Sequence, residues 1–285
     1  MRRLALAAVL FCAAATACGV ATAQGNTSKG QYLSKAAGCA GCHSDSRDGA
    51  QAYAGGRELV TPFGKFYGPN LTPHPQAGLG RWTLQDFRRA IRLGERPDGS
   101  HYYPAFPYPS FTGMTDADIA DLWAYLRSLP ASSQANRAHD LRFPFNWRFL
   151  LGFWKWLYFT PGPLAANAQT PPAVARGAYL AQALGHCGEC HTPRNFLGAP
   201  KQSRRFAGAK LAEGRTPNLT PTRLKRWDDR QLALFLRTGT TPEGDVPSEV
   251  MEEVIQSSTS QLTAQDLAAL IAYLRSLAPL PDEPK

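Results

Sequence analysis

The sequence repeats itself at a fixed distance, and this repeat constrains the fold more than any other feature. Cys39 recurs as Cys187. The run PNLTP at Pro69–Pro73 recurs at Pro217–Pro221, and AYLRSL at Ala124–Leu129 recurs at Ala272–Leu277, each 148 residues on. A unit of roughly 110 residues is too long for a solenoid repeat and the right size for a small domain. The 285-residue chain is therefore expected to hold two such domains in tandem.

Both units follow one plan. A short helix, KGQYLSKAAG or RGAYLAQALG, runs into a cysteine motif, and a long Gly/Pro-rich loop follows. A helix starts after Trp82 (TLQDFRRAIRLG) or Trp227 (DDRQLALFLRTG) and is closed by Gly94 or Gly239. In the last helix Ile119, Leu122, Trp123 and Leu126 fall at i, i+3, i+4 and i+7, with Thr115 as N-cap and Asp118 in the first turn. The second copy places Leu267, Leu270, Ile271 and Leu274 in the same way behind Thr263. No strand pattern stands out. The expected class is mainly α with long loops, and such helices give a thin core, so something else should fill the middle of each domain.

The cysteine motifs suggest what that is. CAGCH at Cys39–His43 and CGECH at Cys187–His191 each place two thiols three apart with a histidine directly after. Two thiols at this spacing suit the two vinyl groups of one haem, and the histidine then reaches the iron from one face. A zinc site would need a second pair of ligands nearby, and a dithiol redox pair would need an α/β sheet; neither half supplies them. Two covalently bound haem c groups are the expectation.

The N-terminus reads as an export signal. MRR precedes a short alanine-rich apolar run that ends in Ala21-Thr22-Ala23, so residues 1–23 are expected to be a cleaved signal peptide. Of six cysteines, Cys12 and Cys18 would leave with it, and the remaining four all sit in the two motifs. The formal charge of +9 would fall to +7 with the loss of Arg2 and Arg3. A moderately basic exported protein suits anionic lipid or an acidic protein partner, and nucleic acid is not expected.

The two CxxCH runs, both PNLTP runs, the W…G spacing behind them, YPAFPYPSF, MEEVIQSSTSQLT and the AYLRSL helices together resemble class I c-type cytochromes. More narrowly they resemble the multihaem cytochrome c subunit of alcohol and gluconate dehydrogenases. That resemblance covers nearly all of the chain after residue 23. It implies two tandem cytochrome c-like haem domains, at 24–132 and 172–285, joined by an aromatic-rich linker at 133–171. It implies His43 and His191 as iron ligands, each ring held by a proline carbonyl, for which Pro69 and Pro217 are the candidates. It also implies a periplasmic electron carrier whose partner is a dehydrogenase subunit or respiratory complex. The resembled subunits hold three haem domains and this chain two, so the particular partner does not carry over.

Electron-transfer haems of the resembled family take a methionine on the far face. Met251, 24 residues after Trp227, stands where that ligand belongs. The same count from Trp82 reaches Phe106, so the first copy lacks the expected sulfur. Met114, eight residues on, is one candidate for metal ligand; it could equally staple onto Ile119 ahead of Thr115, a place Leu262 holds in the second copy. His101 is another candidate, and an open iron is the third outcome. An open iron would make the protein a dihaem enzyme or gas-binding protein, peroxidase-like, rather than a carrier. His74, His139 and His186 read as solvated or capping residues. Trp82, Trp227, Arg57, Arg81, Arg88, Arg215 and Arg226 are candidates to offset haem propionates.

Within the linker, LRFPFNWRFLLGFWKWLYFTPGP mixes aromatics with Arg142, Arg148 and Lys155. It is too interrupted to span a bilayer. It suits packing across both domains, or peripheral association with a membrane or partner complex.

Overall fold

A computed structural model describes residues 25–47, 49–165, 167–211 and 214–283. The expected signal peptide at 1–23 lies outside them. The first copy begins with α1 (Thr27–Ala36), capped by the Asn26 side chain on the Lys29 N–H. Gly38, at φ 61°, turns the chain into α2 (Cys39–His43). A hairpin of β1 (Glu58–Thr61) and β2 (Gly64–Tyr67) follows. Then come α3 (Leu84–Leu93), the short α4 (Tyr108–Phe111) and α5 (Asp116–Ser128). The linker contributes β3 (Asp140–Leu141), which pairs with β2, and α6 (Leu150–Tyr158).

The second copy opens with α7 (Pro172–Tyr179), which continues through a π-helical turn at Leu180–Leu184, and then α8 (Gly188–His191). The β4 (Ala209–Leu211)–β5 (Gly214–Thr216) hairpin, α9 (Pro221–Leu224), α10 (Asp229–Thr238), α11 (Glu249–Ser257) and α12 (Ala264–Ser276) complete it.

The helix boundaries follow their local chemistry. Thr83 and Asp86 cap α3 reciprocally, Thr115 and Thr263 accept from the third N–H of α5 and α12, and Gly94 and Gly239 end their helices in the left-handed region. The chain is mainly α with long loops, as expected, and adds two short hairpin sheets that no sequence pattern marked. Each strand is two to four residues long, too short to write an alternating pattern into the sequence.

Within each copy the first and last helices cross closely. A Cβ on Gly30 would lie 1.9 Å from the Asp121 carbonyl oxygen, and one on Gly177 the same distance from that of Ala269. This explains the KG and RG that open the two leading helices: only glycine permits backbones this close.

The copies then pack on each other reciprocally. Tyr32 of α1 donates to Asp266 of α12 at 2.5 Å, and Tyr179 of α7 donates to Asp118 of α5. Each aspartate also holds a cation from its own copy, Lys29 on Asp118 at 2.6 Å and Arg176 on Asp266 at 2.6 Å. Arg57 pairs with Glu253 across the seam at 2.7 Å. Leu33, Met114, Leu180, Leu184 and Leu262 share one continuous apolar core that runs through both copies.

The linker divides its aromatics between two tasks. Leu151 packs against Phe66 and Tyr103, Phe159 stands edge-on to Tyr108, and the Trp154 indole donates to the Leu197 carbonyl at 3.0 Å. It thus bridges both copies. Phe149, Phe153, Trp156 and Leu157, at i, i+4, i+7 and i+8, form an outward stripe, with Trp156 80% exposed. Among the described residues no helix is long and apolar enough to cross a membrane.

Candidate functional site

Each CxxCH run is a single helical turn, which places the histidine one turn past the first cysteine. The His43 Nδ1 lies 2.8 Å from the Pro69 carbonyl, and the His191 Nδ1 lies 2.8 Å from that of Pro217. With Nδ1–H donating to a carbonyl, Nε2 carries the lone pair and is available to a metal. The protein around both rings lowers their basicity by desolvation, against the opposing pull of the proline carbonyls, and this favours the neutral imidazole that can ligate.

PNLTP recurs because it fixes that carbonyl. Asn70 is 2% exposed; its amide donates to the Ser132 and Gln134 carbonyls, and its oxygen accepts from the Thr72 N–H and hydroxyl. Asn218 and Thr220 repeat the turn, with the Asn218 amide on the Leu280 carbonyl. The histidine's own carbonyl is held as well, by the Gly55 N–H at 2.8 Å in the first copy and the Gly208 N–H at 2.9 Å in the second. Tyr53 and Phe206, both at positive φ, offer their carbonyls to the Leu71 and Leu219 N–H groups from below. Backbone strain repeated at matching places is expected where geometry must be held.

The thiols fit attachment rather than dithiol redox chemistry. Burial raises Cys39 and Cys187 to about 11, opposite to the depressed value a reactive thiolate needs. Among the described residues the four cysteines are free, and no group of three or more His, Cys, Asp or Glu side chains gathers where it could hold a metal. Four cysteines, two oriented histidines and thin helical shells around them fit one covalently held haem per copy.

On the far side the candidates separate. Met251 lies in the first turn of α11, partly buried against the shared core. Met114 is fully buried in that core, directly before the cap of α5. Phe106 packs among Tyr102, Tyr108 and Phe111. His101 is turned to the linker: its Nδ1 is 3.0 Å from the Lys155 amine and its Nε2 faces Gly152. Of the arginines singled out, Arg57 is engaged with Glu253 and Arg88 with Asp116. His74 accepts from the Gln76 and Ala77 N–H groups as a cap, and His139 accepts from Tyr67. His186, expected to be a solvated or capping residue, sits in the seam between the copies, where its ring meets the Ala37 carbonyl at the end of α1. The sequence did contain a signal for it, the extra residue by which the second leading helix exceeds the first.

The sequence matches the cytochrome c family over residues 27–130 and again over 174–278. It is 44% identical over 256 residues to a diheme cytochrome c-type protein of Cereibacter sphaeroides, covering 88% of this chain and 86% of that one. It is 40% identical over 264 residues to the fructose dehydrogenase cytochrome subunit of Gluconobacter japonicus, covering 88% of this chain and 52% of that one. With the gluconate 2-dehydrogenase cytochrome c subunit of Pantoea cypripedii it shares 34% over 263 residues, covering 87% and 59%. The chain thus spans a little over half the length of these two dehydrogenase subunits. Two family matches on the two CxxCH copies close the argument: the chain belongs to the cytochrome c family and carries two covalently bound haem c groups.

Proposed function

We propose that this protein is an exported, two-haem electron carrier that receives electrons from a dehydrogenase or membrane redox complex and passes them to a downstream acceptor. Cys39 and Cys42 with His43, and Cys187 and Cys190 with His191, hold the two groups. Bound haem iron supplies the one-electron chemistry. The chain supplies attachment, orientation and a fixed spacing between sites. The observation that carries this reading is the duplicated histidine–proline contact, at 2.8 Å in both copies, on two domains locked together by reciprocal side-chain bonds.

Met251 and Met114 are the proposed sixth ligands. His101 is engaged by Lys155 and does not present a distal base, which weighs against peroxide chemistry. The relatives named as dehydrogenase cytochrome subunits support a dehydrogenase as electron donor. The outward aromatic stripe of α6, on a chain of net positive charge, suits peripheral contact with a periplasmic membrane face.

Near-infrared magnetic circular dichroism of the ferric holoprotein tests the ligand set. Two low-spin histidine–methionine signals are expected, with Met251→Ala and Met114→Ala each abolishing one. A high-spin signal in the parent protein, untouched by Met114→Ala, would replace the carrier by an open-iron protein.

A further inference from the structure

The two copies register differently on either side of the first cysteine. Gly30 and Tyr32 correspond to Gly177 and Tyr179, 147 residues on, whereas Cys39 corresponds to Cys187, 148 residues on. One residue has therefore been inserted between the second leading helix and its motif. The backbone absorbs it as the π turn at Leu180–Leu184, closed by the Gly185 N–H on the Leu180 carbonyl at 2.7 Å. Single π turns of this kind gather at functional positions.

The residue before each motif is also different. In the first copy it is Gly38, at φ 61°, which costs glycine nothing. In the second it is His186, at φ 38°, a conformation that strains any side chain. A histidine kept where the sister copy has glycine implies that its ring has a task.

The ring lies on the seam. It stands edge-on to Phe111 of the first copy, with centroids 5.4 Å apart. The Ala37 carbonyl, two residues before Cys39, is in polar contact with it. The backbones meet here too: a Cβ on Gly185 would lie 3.9 Å from the Ala36 carbonyl oxygen and 3.6 Å from the Cys187 sulfur. Ser258 donates to that same Ala36 carbonyl at 2.8 Å and holds the end of α1 in place.

The geometry points to His186 as the electronic bridge between the two attachment cysteines, running from Cys39 through Gly38 and the Ala37 carbonyl to the imidazole and on to Cys187. This rests on the two-haem carrier reading and deepens it. One electron leaves a ferrous iron, which becomes ferric, and arrives at a ferric iron, which becomes ferrous; no bond is made or broken and the ring keeps its protons. His186 is a positioning residue that couples the sites and touches no external substrate.

The test uses the haem-loaded protein. After a flash-delivered electron, internal exchange between the haems is followed optically in the parent and in His186→Gly, His186→Leu and His186→Gln. Glycine relieves the backbone strain and leucine keeps bulk, yet both remove the polar contact. Both should slow exchange on the order of tenfold, because each removes the polar ring that meets the Ala37 carbonyl across the seam. Glutamine keeps a donor and should hold exchange near the parent rate. Exchange unchanged in His186→Gly and His186→Leu, with haem spectra intact, would overturn the bridge. A second measurement needs no variant: in the 15N-labelled parent, the His186 ring resonances should shift at both one-electron reduction steps, and a shift at only one step would overturn it as well. A parent with a single reduction step would instead overturn the two-haem carrier reading itself.

Discussion

Tyr32 in α1 donates to Asp266 in α12, 234 residues away, and its hydroxyl also accepts from the N–H of Thr263, the residue that caps that helix. Tyr179 does the same for Asp118 and Thr115 in the opposite direction. Each copy therefore finishes the other's helix cap. Replacing both tyrosines by phenylalanine leaves two partly buried carboxylates short of a partner. A loss of about 2–4 kcal/mol is expected, read from urea midpoints of the holoprotein, with the haem absorption bands unchanged.

Acid should act on the same contacts. Arg176 holds Asp266 below the usual carboxylate range, with burial opposing and Tyr32 assisting. Burial also opposes ionisation of Asp121, but the Asn26 N–H and Lys29 outweigh it. A carboxylate depressed in the folded state contributes stability that is complete above its unfolded value near 3.8 and is lost as pH falls through the lower folded value. Asp266→Asn should cost about 1–3 kcal/mol at pH 7. The gap to the parent should hold its full size down to about pH 4 and narrow only below it, as denaturation is followed toward pH 2.

The linker should separate into two behaviours. Phe153 and Trp156 point outward, so changing both to serine should move stability by less than about 0.5 kcal/mol while weakening sedimentation with anionic lipid vesicles. Trp154→Ser removes the indole bond to Leu197 and should cost roughly 1–3 kcal/mol. Equal vesicle binding by the parent and the Phe153/Trp156 variant would remove the membrane role.

The attachment sites should behave independently. Changing Cys39 and Cys42 together to serine should lower the denatured mass by one haem and leave the second in place. The reverse should hold for Cys187 and Cys190. Intact-mass spectrometry reads both, and loss of two haems from either pair would contradict the assignment.

Much of this was legible in the sequence wherever the determinant is local. Thr115 and Thr263 announce their helices, and Gly94 and Gly239 end theirs. Pro69 and Pro217 as partners of His43 and His191 came from the family resemblance, and the observed contacts agree with it. What pairs over long range was not legible. The seam joins Tyr32 to Asp266 and Arg57 to Glu253 without any periodicity to mark it. The hairpins are too short to alternate. Phe153 and Trp154 are neighbours of similar chemistry, and only the helix phase sends one to solvent and the other to Leu197. His186 read only as a solvated or capping residue, because its partner in the other copy depends on how two domains meet.

The reciprocal seam presents the same patch from both partners, the arrangement found in isologous two-fold dimers, here built from two halves of one chain. Two separate subunits with such a patch would dissociate on dilution. Tethered through α6, they face an effective concentration on the order of millimolar, whatever the concentration of the protein itself. The spacing between the two redox sites is therefore a property of the single molecule, and a dilute compartment does not take the relay apart.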